Sequence, residues 1–150
     1  MGIPKTDDFN LGDNEGCGYF QVNQRRGVRW SAAKAFLKPV MGRANLKVLT
    51  HAQATRIIIE DGRATGLEYL HNGTSARAQA RGAVILSGGA VASPQLLELS
   101  GVGQGELLQQ HGIPARHELP GVGENLQDHL QIRLVYKVSN TRALNLRANS

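Results

Sequence analysis

The chain is poor in the residues and motifs that most often announce a chemistry. It has one cysteine, Cys17, which excludes an internal disulfide and suits a reducing compartment. No CxxC, HExxH or GxSxG occurs, so zinc chemistry and serine-hydrolase chemistry have no support. No apolar run approaches the roughly 18 residues that a membrane span needs, and the start, MGIPKTDDFN, is neither an apolar signal segment nor an Arg-rich transit peptide. The expected placement is cytoplasmic, with peripheral association with the inner membrane as the alternative. Aromatic residues make up 5% of the chain. The tightest basic cluster, Arg25, Arg26 and Arg29, has only Trp30 as an aromatic neighbour, and the excess of 17 Lys and Arg over 12 Asp and Glu is otherwise scattered. A nucleic-acid partner is therefore not expected. The dinucleotide fingerprint is also missing. Gly101-Val102-Gly103 and Gly121-Val122-Gly123 begin a GxGxxG pattern, but neither has a glycine three residues on.

What the chain does have is one informative stretch, Gly82 to Gly103. Val84, Ile85 and Leu86 form an unbroken apolar run, which predicts a strand over 83–87 buried on both faces, as in a parallel sheet covered by helices. Gly88 and Gly89 then stop the strand and, lacking Cβ atoms, let a backbone or a ligand come close. Ser93 and Pro94 read as N-cap and first helical position, Leu96, Leu97 and Leu99 as the apolar face, and Gly101 as the terminator. Strand, glycine turn and helix together form a unit that can hold a nucleotide cofactor, since helix N-termini favour phosphate.

Upstream, residues 1–17 read as a loop or disordered lead, and Gly18–Asn23 as an alternating strand turned by 24–27. Ser31 caps a helix whose buried end is Phe36 and Leu37 and which Pro39 stops. Strands are expected at 45–50, 54–60, 64–70 and 74–80, the last three joined by the two-residue hairpin signals Asp61-Gly62 and Asn72-Gly73 into an antiparallel meander. Downstream, 105–111 reads as a short helix, 113–118 as a short strand, 120–123 as a tight loop, and 130–138 as a half-buried strand.

The segment SGGAVASPQLLELSGVG resembles the second signature of the glucose–methanol–choline family of FAD-dependent oxidoreductases, and PGVGENLQDHL, Pro120 to Leu130, is similar to the segment that follows it there. The likeness extends more loosely from Gly18 to Leu134, with a GxRxSAAxAFL segment in common. The resemblance implies a mixed α/β chain, part of a Rossmann-like FAD-binding domain carrying a three-stranded antiparallel meander. It implies that the chain is an internal piece of a longer enzyme: 1–45 a lead and helix of substrate-domain type, 46–130 part of the FAD-binding domain, and 131–150 a strand leading into the substrate domain. It implies FAD as cofactor, with Gly88 and Gly89 near the ribityl or pyrophosphate part, the backbone of Ala54 at the adenine, and Asn125 and Asp128 fixing a loop beside it. The implied reaction is oxidation of an alcohol, choline or a primary alcohol, by hydride transfer to flavin.

The family's catalytic histidine lies beyond this segment, so the chain alone is expected to be inactive. Of the five histidines, His51, His71, His111 and His117 fall in turns or at element ends. Asp128-His129 is a neighbour pair, but adjacent residues on an extended chain point to opposite faces, so no catalytic residue is assigned. Open strand edges predict self-association. The alternative to an enzyme fragment is a small non-catalytic nucleotide-binding or adaptor module on the same scaffold.

Overall fold

The computed structural model describes residues 2–12, 15–137 and 139–140. The chain divides between Thr50 and His51 into two units.

In the first unit the lead is tied to the segment after it. Lys5 bridges Cys17, with Thr6 N–H donating to the Cys17 carbonyl at 3.0 Å and Cys17 N–H to the Pro4 carbonyl at 2.9 Å. A hairpin follows, β1 (Gln24–Arg25) and β2 (Val28–Arg29), turned by Arg26 and Gly27 with φ of 52° and 75°. Two positive φ values in a two-residue loop are the type I′ pattern, which matches the twist of the flanking strands. Trp30 sits beneath two cations, 5.2 Å from the Arg25 guanidinium and 5.9 Å from Lys34 Nζ. A short helical stretch runs from Ala32 to Val40, wide-turned over Ala33–Leu37 and tight over Lys38–Val40.

The second unit is built on the meander. β3 (Ala52–Glu60), β4 (Arg63–His71) and β5 (Thr74–Gln79) pair antiparallel in that order. Asp61-Gly62 and Asn72-Gly73 form the two loops, all four residues at positive φ. The helix α1 (Gly89–Leu99) packs on β3. Beyond it, β6 (Val102–Gly103) and β7 (His117–Glu118) pair in parallel around α2 (Gly105–Gln110).

The most deeply buried residues are Ile57, Ser100, Val102 and Leu108, so the core lies where the outer edge of β3 meets the end of α1. Ser100, 2% exposed, makes that junction. Its hydroxyl donates to the Leu96 carbonyl and its Oγ accepts the Ile57 N–H at 2.8 Å. Two residues further along, the Arg116 guanidinium donates to the Ile59 carbonyl at 3.3 Å. The edge of β3 is thus covered by side chains rather than by another strand, one of the ways a sheet edge is protected.

Several expectations are corrected. The run 83–87 is not in a strand, and among the described residues nothing pairs with it. It is not buried on both faces either: Val84 and Leu86 are half-buried while Ile85 is 85% exposed. The runs 18–23 and 45–50 likewise carry no strand. Residues 130–137 carry none and expose Leu130, Ile132, Leu134 and Tyr136, while Val138 lies outside the described residues. The physical reason is shared, because a strand exists only when a neighbour accepts and donates its hydrogen bonds.

The first helix differs in another way. α1 begins four residues before Ser93, with Gly88 as its cap residue and Pro94 inside. Pro94 is the sixth residue of α1, past the first turn, so it removes the N–H that would reach the Ala90 carbonyl and sets its ring against that carbonyl, at a cost of about 3 kcal/mol. In the first unit Phe36 is 76% exposed, and Pro39 lies inside the tight turn rather than beyond it. The terminator at Gly101 is as expected, with φ of 86° and its N–H on the Glu98 carbonyl at 2.9 Å.

Candidate functional site

The glycine turn joins the run 83–87 to α1. Gly88 caps the helix with φ −78° and ψ 0°, and a Cβ there would stand 3.3 Å from both Ala92 Cβ and the Ser93 nitrogen. Gly89 has φ of 86°, and open space surrounds the position where its Cβ would stand. The two glycines therefore do different jobs. Gly88 allows close packing within the first turn, whereas Gly89 supplies a left-handed conformation and a bare backbone facing outward. The N–H groups of the first turn have no intrahelical acceptors, which makes this end of the helix attractive to anionic oxygens.

Ala54 lies in β3 opposite Tyr69, at a bulge where the register with β4 shifts. A pocket of about 180 Å³ brings Ala54 together with Gly88, and Leu67, Leu86, Ala92 and Ser93 also line it. Two of the expected cofactor residues, from segments more than thirty positions apart, thus share one cavity.

Asn125 and Asp128 do not line that pocket. Both are exposed, in the segment after the turns at Leu119–Val122 and Gly121–Glu124. Asn125 takes a left-handed φ of 57°, and Asp128 Oδ1 accepts the His129 N–H at 2.8 Å. Asp128 is therefore bonded to the backbone of His129 and not to its ring. Gly123, Glu124 and Leu126 of the same loop face Pro94 and Glu98 of α1 across a cleft of about 400 Å³. His51, His111, His117 and His129 are exposed and His71 is half-buried. Among the described residues no group of three or more His, Cys, Asp or Glu could hold a metal ion.

The strongest electrostatic feature lies away from this pocket, across the meander. The Glu68 carboxylate takes Arg56 through Nε at 3.0 Å and through its terminal nitrogen at 3.0 Å, and takes Arg77 at 2.6 Å. The Arg56 hydrogen bond, aided by both cationic charges, holds the Glu68 carboxyl below the usual carboxylate range. The same hydrogen bond raises Arg56 above its ordinary value. This ladder joins three strands. It has no part in the pocket.

Two features escaped sequence reasoning, the Ser100 junction and the seating of Glu118. The Glu118 carboxylate accepts the Gly105 N–H at 3.0 and 3.1 Å, at the first residue of α2. Neither lies in a local motif, since each joins segments 13 or 43 residues apart.

A glycine turn that opens a helix against an antiparallel meander, with a cavity shared by the two, defines an α/β lobe with a pocket at a helix N-terminus. The chain belongs to the GMC oxidoreductase family, whose model matches residues 1–131. Over 131 residues it is 50% identical to the mitochondrial choline dehydrogenase of Homo sapiens, a match covering 87% of this chain and 22% of that protein. Pyridoxine 4-oxidase from Mesorbium loti superposes with a TM-score of 0.68 at 40% identity, over 71% of this chain and 21% of that one. An FAD-dependent oxidoreductase from Chaetomium thermophilum superposes with a TM-score of 0.58 at 34% identity, over 60% and 16%. The chain spans about a quarter of the length of the curated relatives it matches.

Proposed function

We propose that this chain forms one wall of the FAD site in an enzyme that oxidises an alcohol CH–OH group, choline or another primary alcohol being the donor. The observation that carries this reading is the pocket shared by Ala54 and Gly88 at the N-terminus of α1. The residues suit the cofactor. The first-turn N–H groups at Gly89 are donors for phosphate or ribityl oxygens, and the bare surface at Gly89 leaves room for them. The backbone at Ala54 offers hydrogen bonds to the adenine, where a small side chain does not obstruct it. Asn125, held left-handed, and Asp128, bonded to the following N–H, shape a loop on the cofactor's side. When bound, FAD supplies the hydride acceptor. No residue of this chain is assigned to proton transfer.

In this reading 1–45 belongs with the substrate-binding part, 46–130 with the cofactor-binding part, and 131–150 leads back to the former. The enzyme acts in the cytoplasm or at the periphery of the inner membrane. No helix among the described residues is long and apolar enough to cross a membrane.

A chimaera tests the reading. Residues 1–131 replace the matching segment of the human choline dehydrogenase, and flavin content and choline oxidation are measured with and without Gly89→Val. The parent chimaera should retain flavin. The variant should lose most of it, because a β-branched residue at φ of 86° is strained by roughly 1–3 kcal/mol and its side chain occupies the approach. Normal flavin content in the variant counts against the assignment.

A further inference from the structure

The loop that sets the register of β5 also carries a latent chemistry. Of the nine asparagines only Asn72 is followed by glycine. Its side-chain amide carbon can close a five-membered ring with the Gly73 nitrogen, and a residue without a Cβ leaves that nitrogen unhindered. Nothing lies within 4 Å of the place a Gly73 Cβ would take. Both residues are exposed, and although the Asn72 N–H donates to the His51 carbonyl at 3.2 Å, among the described residues its side chain has no partner. The Asn10 amide, by contrast, is tied to Asp8 at 3.1 Å. At φ of 50° the Asn72 side chain must still swing over the following peptide to reach the nitrogen, so the loop has to open. Little opposes this, because β5 pairs with β4 alone among the described strands and all its residues except Ala76 are exposed. Asp61-Gly62 shares the loop geometry but not the chemistry, since an ionised carboxylate resists attack by an amide nitrogen.

We propose that Asn72 is a site of spontaneous modification, at which the chain deamidates itself with water as the sole co-reactant. The Gly73 nitrogen, having lost its proton, attacks Asn72 Cγ; a C–N bond forms, the bond to the side-chain nitrogen breaks, and ammonia leaves. Water then opens the cyclic imide at one of its two carbonyls, giving aspartate or isoaspartate with no change of oxidation state. Either product lowers the formal charge of +5 by one. In isoaspartate the main chain runs through the side chain and is longer by one carbon, so a two-residue turn no longer sets His71 against Thr74, and Arg77 leaves its place opposite Glu68. Aspartate keeps the turn. No residue of this loop or of β5 lines the pocket of Ala54 and Gly88, so the flavin reading stands or falls separately.

The test holds the 150-residue chain in mildly alkaline buffer and follows its peptides by mass spectrometry. The peptide with residue 72 should exchange –NH2 for –OH well ahead of those with Asn23, Asn45 and Asn125, and part of it should accept a methyl group from a protein isoaspartyl methyltransferase. Gly73→Ala should slow the exchange even though it loosens the loop, because the added methyl hinders the attacking nitrogen. Ser100→Ala, which weakens the fold elsewhere, should leave the rate unchanged, since only the loop opens. Once the products are separated by chromatography, the isoaspartyl form should unfold at lower urea than the aspartyl form, and Asn72→Asp should unfold with the latter. Exchange no faster at residue 72 than at Asn125, a rate indifferent to Gly73→Ala, a rate that rises in Ser100→Ala, or an isoaspartyl form as stable as the aspartyl one each overturns the proposal.

Discussion

Ser100 shows how much one buried hydroxyl can decide. It terminates α1 by bonding back to Leu96 and at the same time takes the Ile57 N–H on the open edge of β3. Ser100→Ala removes the acceptor and leaves a buried N–H unpaired, which costs about 1–3 kcal/mol. Urea unfolding of the two proteins measures it, and a midpoint unmoved by the substitution excludes the junction role. Glu68 makes a pH-dependent contribution of definite sign. Its folded carboxyl lies below the ordinary range, so the native state binds protons less readily than the unfolded chain. The stabilisation is present above the unfolded carboxylate value of about 4.3 and fades as pH falls through the folded one. The stability gap between the parent and Glu68→Gln should therefore be larger at about pH 6 than at about pH 3. A gap independent of pH removes the ladder from the account.

At the level of elements, the meander and the helix illustrate two kinds of specification. In the meander each two-residue loop sets the register beyond it. His71 opposite Thr74 places Glu68 opposite Arg77, so that half of the charged ladder is legible from Asn72-Gly73 alone. Glu60 opposite Arg63 would by the same count place Arg56 opposite Leu67. An irregularity between Ile58 and Ile59 shifts the register by one, so that Arg56 meets Glu68 instead, and a second between Ala54 and Arg56 shifts it back. Gly62→Ala and Gly73→Ala probe the loops cleanly, because no atom lies within 4 Å of either added Cβ. Each should lose about 1–2 kcal/mol from left-handed strain alone, read from thermal or urea midpoints. For α1 the Ser93-Pro94 pair is a valid start signal that the protein does not use. Ala92, Ser93 and Leu96 line the pocket with Val84 and Leu86, but the four residues by which the helix is extended, Gly89 to Ala92, are exposed.

For the whole chain the expected behaviour is partial function. In the proposed reading the first-turn donors of α1 and the backbone at Ala54 would hold only one side of a dinucleotide, and no proton-transfer residue is assigned here. The 150-residue chain should bind FAD weakly or not at all and should not reduce dye with choline or simple alcohols. A flavin fluorescence titration and the dye assay measure both. Micromolar binding with turnover would show that these residues suffice for the reaction.

The amino-acid sequence by itself determined the features closed by neighbours a few residues apart. Asp61-Gly62 and Asn72-Gly73 force the hairpins because both loop residues must take positive φ, and Gly101 ends α1 for the same reason. The signature from Ser87 to Gly103 carried family membership as a linear pattern. Tertiary structure alone decided which apolar runs became strands. The runs 18–23, 45–50, 83–87 and 130–137 have the right residues, yet a strand needs hydrogen-bonding partners that the run does not contain. It alone placed Ser100 on Ile57, Glu118 on Gly105, and Ile85 in solvent, since contacts across 43 or 13 residues depend on how elements pack and leave no local trace.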